Sequence, residues 1–350
     1  MSWKAALVGL MSLTLAMSQS EGSGPSNIKF SCASLVVDRI DPLVEPGIKP
    51  SSHLHQIMGG NAFNATMDPS TDPAELSTCT SCTMTDDFSN YWTAVMFFQA
   101  RNGSYTRVHQ LGGLFSEESN GGMTVYYFPQ FVEPEKVKIR AFAPGFRMRV
   151  GHPNNRTAWW DAPAQLLKGI TYTCLQRDDT RFTHLSWDFP KEPCPAGIMT
   201  TIPFPPCWDG KNLDSPDHSS HVAYPDTDYD LGASCPASHP VNIPRIVMEI
   251  RWDTRPFNNP ELWPAGGRQP FVWSYGDRVG HGHHADYIFG WKGDLLQRFF
   301  DLTNCPFSDC GVLGRSTVLK SNECTQKPSV REEIDGWLDK MPGGVVADPW

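Results

Sequence analysis

The sequence predicts a mainly β protein, with an antiparallel β-sandwich or jelly-roll-like core, long disulfide-pinned loops and a short helical C-terminal appendix. Three observations predict it: short β-rich runs bounded by turn residues, heavy use of Gly and Pro, and an even number of cysteines. The 350 residues, 40 % of them hydrophobic and 19 % charged, can bury a sizeable core. The 29 Gly and 30 Pro exceed an average combined usage of roughly 12 %. That composition favours short strands and ordered loops and excludes a helical bundle.

The predicted strands are alternating or β-rich runs, each bounded by Gly, Pro, Asn or Asp. They cover residues 93–100, 123–128, 137–142, 146–150, 170–175, 243–252 and 271–275. Helix signals occur only near the end, where Asp294 is a candidate N-cap for residues 295–302 and Ser329 with Glu332 forms a capping box. Residues 27–300 contain no repeat and no flexible linker. We therefore expect a single β domain over 21–300 and a cysteine-containing appendix and tail over 301–350, with the tail frayed after Pro342.

Residues 1–20 have the layout of a secretory signal peptide. Lys4 precedes an apolar run from Ala5 to Met17, and small or polar residues follow, which predicts cleavage near Ser18 or Ser20. The run is shorter than the roughly 20 residues that span a bilayer, so we expect a soluble, extracellular protein with no membrane partner. The net charge of −9 argues against nucleic acid as a partner.

Ten cysteines all follow the predicted signal peptide, at positions Cys32, Cys79, Cys82, Cys174, Cys194, Cys207, Cys235, Cys305, Cys310 and Cys324. An even number in an oxidising compartment predicts five disulfides, whose pairing the sequence leaves open. The Cys79-Thr-Ser-Cys82 pair is similar to half a zinc knuckle, but no second pair accompanies it, so a disulfide role is favoured. Glycosylation sequons begin at Asn64, Asn102 and Asn155.

Histidines form three clusters that hold seven of the eleven in the chain. His53 and His55, at positions i and i+2, would face the same side of a strand and could present two imidazoles to one metal ion or one substrate. Candidates for a further ligand are His218, His221, His284 and Asp286. A lone histidine is more often a surface or hydrogen-bonded core residue. Three clusters with polar neighbours instead favour a shared site, either metal-free or metal-binding.

Carboxylates accompany these clusters in the segment 207–217. Asp209 and Asp214 in this segment, with Asp286, are candidates for the proton donor and the base that glycosidic cleavage requires. The structural alternative is that such aspartates cap turns of their own backbone.

Aromatic residues indicate a carbohydrate ligand. Twelve tryptophans are heavy usage, and several, including the pair Trp159 and Trp160, lie in or beside Gly/Pro/Asn loops where a ring could offer its face to a pyranose. Buried tryptophans more often belong to a core. The predicted substrate-binding residues are Arg39, Tyr91, Trp92, Trp208 and Trp291.

Five motifs in order resemble the domain of unknown function 1996 family over about residues 37–295. They are Val-Val-Asp-Arg-Ile-Asp-Pro (36–42), Ser-His-Leu-His-Gln-Ile-Met-Gly-Gly-Asn-Ala-Phe (52–63), Ser-Asn-Tyr-Trp (89–92), Phe-Pro-Pro-Cys-Trp-Asp-Gly (204–210) with Asp-His-Ser-Ser-His-Val (217–222), and His-Ala-Asp (284–286) with Gly-Trp (290–291). The resemblance implies a secreted or wall-associated fungal protein, here without the WSC module that some members carry. It assigns no reaction. The recurring polar residues of the family match Arg39, Asp41, His53, His55, Asp209, Asp214, His218, His221, His284 and Asp286.

From these observations we expect a secreted, monomeric, carbohydrate-active protein that cleaves a cell-wall polysaccharide by Asp/His acid–base chemistry. The catalytic candidates are His53, His55, Asp209, Asp214, His218, His221, His284 and Asp286. This hypothesis requires no cofactor. One alternative is a non-catalytic glycan-binding or stress-related module. Another is a metalloprotein that binds a divalent ion through His53, His55, His218 and His221.

Overall fold

A computed structural model of the chain describes residues 26–129, 138–157, 169–181, 183–225, 234–302, 305 and 310–350. The predicted signal peptide and the pair Trp159–Trp160 lie outside the described residues. Strand makes up 27 % and helix 9 % of the structure, which confirms the mainly β class. No helix within the described ranges has both the length and the apolar character that a membrane crossing needs.

The strands of the described residues are β1 (Ile28–Cys32), β2 (Val36–Asp38), β3 (His55–Gly59), β4 (Asn90–Ala94), β5 (Met96–Gln99), β6 (Tyr105–Arg107), β7 (Met123–Phe128), β8 (Arg147–Gly151), β9 (Thr171–Cys174), β10 (Leu185–Ser186), β11 (Ile198–Pro203), β12 (Cys207–Trp208), β13 (Val222–Ala223), β14 (Val241–Asn242), β15 (Arg245–Trp252), β16 (Phe271–Trp273) and β17 (His284–Ile288). The α-helices are α1 (Pro73–Leu76), α2 (Leu295–Phe300) and α3 (Val318–Ser321). Single 3₁₀ turns cover Gly113–Phe115, Arg255–Phe257, Pro260–Leu262 and Pro342–Gly344.

Two antiparallel sheets form the core of the sandwich. The larger has the strand order β1-β7-β15-β11-β9-β10, and the smaller has the order β2-β3-β4-β17-β8. Smaller sheets, β13-β12-β14 and β16-β5-β6, pack beside them. Tyr127 of the larger sheet contacts both Tyr91 and Tyr287 of the smaller sheet through its hydroxyl, at 2.5 and 3.2 Å. One face of the smaller sheet therefore packs on the larger sheet, and its other face is turned away from it.

Five disulfides are formed, as the cysteine count predicts: Cys32–Cys82, Cys79–Cys324, Cys174–Cys194, Cys207–Cys235 and Cys305–Cys310. Cys79 and Cys82 belong to different bridges, so the half-knuckle is not a zinc site. The Cys79–Cys324 bridge joins positions 245 residues apart and fastens the C-terminal segment to the domain.

The strand predictions hold with two exceptions. The run 93–100 is divided between β4 and β5, because the N–H of Val95 donates to Leu54 rather than to a sheet neighbour. The part of the run 137–142 that is described, residues 138–142, is not a strand. Its N–H groups at Arg140 and Ala141 donate to isolated acceptors on Asn242 and Gln297.

The C-terminal predictions are partly wrong. Helix α2 matches the first prediction, although the side chain of Asp294 pairs with Arg298 at 2.9 Å and does not cap the helix. No helix begins at Ser329, because the Ser329 N–H donates to Asp38 and the Glu332 carboxylate pairs with Arg39 at 2.9 Å. The segment after Pro342 is not frayed.

Asp348 fastens that last segment to the domain. The Asp348 carboxylate accepts from Arg156 at 2.6 Å, and its carbonyl accepts from Arg278 at 2.7 Å. These tertiary contacts hold the segment after Pro342 against the domain.

A string of polar groups crosses the core between the two sheets. Asp87 accepts from the Tyr91 hydroxyl at 2.5 Å and from the Ser89 N–H at 2.9 Å. Tyr127 continues the string by accepting from the Trp291 indole at 3.1 Å. Burial raises the pKa of Asp87 to about 6, against the opposing effect of the hydrogen bonds from Ser89 and Tyr91.

We expect the stability of the protein to fall, relative to that of Asp87→Asn, as the pH rises from 4 to 8. The raised pKa in the folded state means that ionised Asp87 costs free energy. The stabilising effect of protonated Asp87 is complete below pH 3.8 and is lost as the pH rises through about 6. The difference in the free energy of unfolding is about 3 kcal/mol. Urea unfolding at several pH values measures it, with the exposed Asp294→Asn as control. Parallel pH profiles of the wild type and Asp87→Asn would contradict the expectation.

Candidate metal centre

Three histidines that are distant in the sequence meet on the outer face of the smaller sheet. His55 begins β3, His53 lies two residues earlier, and His284 begins β17. Only β4 separates β3 from β17. Ala94 of β4 lies opposite His55, and the small alanine side chain leaves room for imidazoles on the two flanking strands.

One ring nitrogen from each of these histidines lies within 4.8 Å of the other two. The Nε2 atoms of His53 and His284 are 3.1 Å apart. The ring of His55 lies 4.3 Å from that of His53 and 6.1 Å from that of His284, between centroids. We call His53, His55 and His284 the triad.

The second nitrogen of each triad ring has its own partner. Nδ1 of His55 lies 3.2 Å from the Ile40 carbonyl oxygen, and Nδ1 of His284 lies 3.1 Å from that of Gly282. Because a carbonyl oxygen only accepts, these two Nδ1 atoms carry the proton and their Nε2 atoms carry a lone pair. Nδ1 of His53 faces the Ser52 hydroxyl at 2.9 Å. Such outer partners are typical of metal-ligating histidines, whose orientation they hold.

The electrostatics of the triad favour neutral imidazoles. Burial lowers the pKa of His55 to about 4 and the pKa of His284 to about 3, and it lowers the pKa of His53 well below its usual value. Charge on the neighbouring imidazoles lowers the pKa of His53 and of His284 further. At neutral pH all three rings are therefore neutral imidazoles, the form of histidine that binds a metal ion.

Asp41 faces the triad with one carboxylate oxygen. Its Oδ1 accepts from the N–H groups of Leu43 and Val44, both at 3.0 Å, and its Oδ2 lies 3.9 Å from Nε2 of His55. Burial raises the pKa of Asp41, and the two backbone hydrogen bonds act in the opposite direction. Nε2 of His55 has no hydrogen-bond partner among the described residues.

Asp286 is a second buried carboxylate on this face, two residues after His284. It is fully buried, and neither carboxylate oxygen has a hydrogen-bond partner within the described ranges. Its neighbours in register are Trp92 on β4 and Arg149 on β8. Trp92 Nε1 and Arg149 Nε are likewise without partners in that part of the chain. Burial raises the pKa of Asp286 well above its usual value.

A cleft of about 500 Å³ lies along β8 beside this face. Arg149 and Gly151 line it together with His152, Ser219 and Tyr224. Gly151 lies opposite His284, and a Cβ atom at Gly151 would be 3.0 Å from the Cβ of His284. Gly151 therefore both lines the cleft and packs directly against His284.

His218 and His221, the other two predicted histidines, form a separate group on the loop between β12 and β13, beside β8. His218 pairs with Asp214 at 2.7 Å, and His221 contacts the Ser215 hydroxyl at 2.8 Å. The His218 carbonyl accepts from Arg149 N–H at 2.8 Å, which holds the loop on the edge of the sheet. His218 and His221 are therefore not members of the triad. Of the four candidates for a further ligand, His284 is the one that joins His53 and His55.

Asp209 and Asp214 serve turns of this loop. Asp209 accepts from the N–H groups of Lys211 and Asn212 at 2.8 and 2.9 Å and from the Asn212 amide at 2.6 Å. Partial burial of Asp209 acts to raise its pKa, but these hydrogen bonds outweigh it and the pKa is lowered. Asp214 accepts from Ser215 N–H at 2.8 Å. This is the structural alternative for both residues.

The predicted sugar-binding aromatics lie in the core. Tyr91, Trp92 and Trp291 have no exposed surface, and Trp208 is 6 % exposed. No ring face of the first three is open to a pyranose, so we do not include them in a binding site. Arg39 pairs with Glu332 at the junction with the C-terminal segment.

The position of Arg149 beside Asp286 depends on the register of β8 against β17. No motif around Arg149 could have indicated it. Asp41 was available from the family motif, but its distance to His55 was not.

One family model matches the chain, that of the family described as Domain of unknown function (DUF1996), over residues 41–291. The match covers most of the chain, and the triad, Asp41 and Asp286 all lie within it. The chain therefore belongs to this family. No curated protein and no solved structure matches it.

Proposed function

We propose that this DUF1996 protein is an extracellular metalloprotein that binds one divalent transition-metal ion through Nε2 of His53, His55 and His284. One observation carries the proposal: buried Nε2 lone pairs of His55 and His284, fixed by Nδ1–H contacts to carbonyl groups, converge with a third imidazole. Imidazole ligands suit zinc, copper, iron and nickel. The function is metal binding at this centre.

The spacing of the nitrogens supports the proposal. Two nitrogens bound at about 2.0–2.1 Å to one ion lie about 2.9 Å apart at a right angle and about 3.4 Å apart at the tetrahedral angle. The separation of 3.1 Å between Nε2 of His53 and Nε2 of His284 lies within this interval. Asp41 Oδ2, next to His55, is the candidate fourth donor.

A metal-free arrangement accounts for fewer of these atoms. An N–H···N hydrogen bond between His53 and His284 would satisfy that pair. It would leave Nε2 of His55 buried without a partner, at a cost of about 1–3 kcal/mol. A bound cation satisfies all three nitrogens at once.

Metal analysis of the untagged protein tests the proposal, because a polyhistidine tag would itself bind metal. We expect about one zinc, copper, iron or nickel ion per chain after secretion from a eukaryotic host. Dialysis against a chelator should remove it, and added Zn²⁺ should restore it and raise the melting temperature. Less than a tenth of an equivalent of any of these metals, with no thermal shift on their addition, would contradict the proposal.

Asp41→Asn is expected to weaken Zn²⁺ binding at least about 10-fold, because a candidate donor oxygen is lost and the loss of even an outer partner of a ligand costs that much. The variant keeps a carbonyl oxygen that can accept from Leu43 and Val44. An NH₂ group replaces the oxygen that faces His55, and the negative charge of the carboxylate is lost. Competition titration with a chromophoric chelator measures the affinity. Asp68→Asn, at an exposed aspartate, is the control. An unchanged affinity in Asp41→Asn would show that the triad binds the ion without Asp41.

Extracellular location is part of the proposal and is supported by the five disulfides and by sequons in surface turns.

Polysaccharide cleavage by Asp209 and Asp214 has weaker support, since both carboxylates serve turns of their own loop. Assays on glucans, chitin, mannans and uronans with wild-type and Asp209→Asn protein decide this point. Equal product release by both would remove Asp209 from the mechanism.

A further inference from the structure

The loop between β5 and β6 presents the sequon that begins at Asn102. Its five residues, 100–104, form a hairpin turn in which Gly103 N–H donates to the Ala100 carbonyl at 2.9 Å. Asn102 is exposed, and its Oδ1 accepts from the N–H and the hydroxyl of Ser104 at 3.1 and 2.7 Å. Its Nδ2 has no hydrogen-bond partner in the described part of the chain. By contrast, Nδ2 of Asn64 in another sequon donates to Ala62 at 3.0 Å.

A cleft of about 480 Å³ opens directly beside Asn102. Trp337, which is 57 % exposed, lines this cleft. The indole packs edge-on against Phe98, with the ring centroids 6.3 Å apart. The neighbouring Leu338 exchanges two backbone hydrogen bonds of 2.7 Å with Tyr105. The tryptophan is therefore held beside the hairpin although most of its surface is open to solvent.

Polar side chains complete the walls of the cleft. Arg101 is fixed by hydrogen bonds to the carbonyl groups of Trp263 and Pro260 at 3.1 and 3.3 Å. Glu261 and Asp339 add carboxylates. An exposed indole beside a fixed guanidinium group and two carboxylates suits a saccharide, which has apolar C–H faces and a polar rim of hydroxyl and acetamido groups.

We infer that Asn102 carries an N-linked glycan whose first N-acetylhexosamine residues lie in this cleft against Trp337. The inference rests on the extracellular location in the proposed function and is independent of the metal centre. In the modification, Nδ2 of Asn102 forms a bond to C1 of the sugar. The bond from C1 to the pyrophosphate of a lipid-linked oligosaccharide donor breaks, and the lipid pyrophosphate leaves with the amide proton.

Covalent attachment makes the glycan of Asn102 the favoured occupant over a free saccharide. A ligand on a short tether has an effective concentration in the millimolar range. A contact whose dissociation constant lies below this concentration is then formed most of the time. The glycan would also cover apolar surface of Trp337 that is otherwise exposed to solvent.

The experiment uses the full chain, secreted from yeast and treated with an endoglycosidase without denaturation. Site-resolved mass spectrometry follows glycan removal at Asn64, Asn102 and Asn155. We expect Asn102 to be occupied and its glycan to be released several-fold more slowly than that of Asn64. Trp337→Ala should remove this protection and leave the rate at Asn64 unchanged. Leu319→Ala, at an equally exposed apolar residue on α3, is the matched control.

An unmodified Asn102, alone or together with the other two sequons, would overturn the inference. So would equal release rates at Asn64 and Asn102 that do not depend on Trp337. In a second measurement, added N,N′-diacetylchitobiose should quench tryptophan fluorescence in Asn102→Gln but not in the wild-type glycoprotein. Equal quenching in both would show that the attached glycan leaves the cleft open to a free saccharide. Metal content of the same samples reports on the triad separately.

Discussion

His55→Ala is expected to weaken Zn²⁺ binding by at least about 100-fold, because it removes a ligand and not only an outer partner of a ligand. The affinity of His55 for the ion depends on a lone pair that the Ile40 carbonyl fixes at Nε2, and alanine supplies no donor atom there. Competition titration and metal analysis of the purified variant measure the loss. His152→Ala changes an exposed imidazole on the rim of the neighbouring cleft and should bind Zn²⁺ as the wild type does.

The His55 variant must be folded for this comparison to be valid. His55→Gln fills more of the buried space and serves as the second variant, with circular dichroism as the check on folding. In the wild type, Zn²⁺ at 100 times its dissociation constant should add about 2.7 kcal/mol to the free energy of unfolding. The same addition should leave both His55 variants unchanged. Stoichiometric metal in a folded His55 variant would show that the triad is not the binding site.

Loss of the Cys79–Cys324 bridge is expected to give the largest drop in stability. The bridge closes a loop across 245 positions, and in the chain-entropy model a loop of this length contributes about 5 kcal/mol. The double variant Cys79→Ser/Cys324→Ser should therefore lose several kcal/mol in urea unfolding. The bridge also holds the segment in which Ser329 and Glu332 contact Asp38 and Arg39.

Cys305→Ser/Cys310→Ser is the matched control for that experiment. Its bridge spans only 5 positions, for which the same model gives about 2 kcal/mol. Both double variants remove one disulfide and add two hydroxyl groups. If the two variants lost the same free energy of unfolding, loop closure would not explain the stability of the Cys79–Cys324 bridge.

Local patterns were sufficient for the β class and the pairing of all ten cysteines into five disulfides, although not for which cysteines pair. They also indicated that His53 and His55 present their imidazoles to one site. The alternation along a strand on which that prediction rested does not position His53, because β3 begins only at His55. They failed at Ser329 and Glu332. There the contacts with Asp38 and Arg39, nearly 300 residues earlier in the chain, outweigh the capping of a short helix.

The aromatic residues also show which properties local patterns report and which depend on tertiary packing. Composition indicated that tryptophan was abundant, but it did not distinguish Trp92 and Trp291, which are fully buried, from Trp337, which is 57 % exposed. Burial depends on which sheet faces pack together, and no local pattern reports it.

The sequence by itself determined the mainly β class, the disulfide count and the residue types available for a site. Only the tertiary structure decided that His284, 231 residues after His53, completes the triad while His218 and His221 lie beyond β8. The physical reason is sheet order. Strands β3 and β17 are adjacent to the same strand β4, and that adjacency arises from long-range backbone pairing that individual segments do not encode.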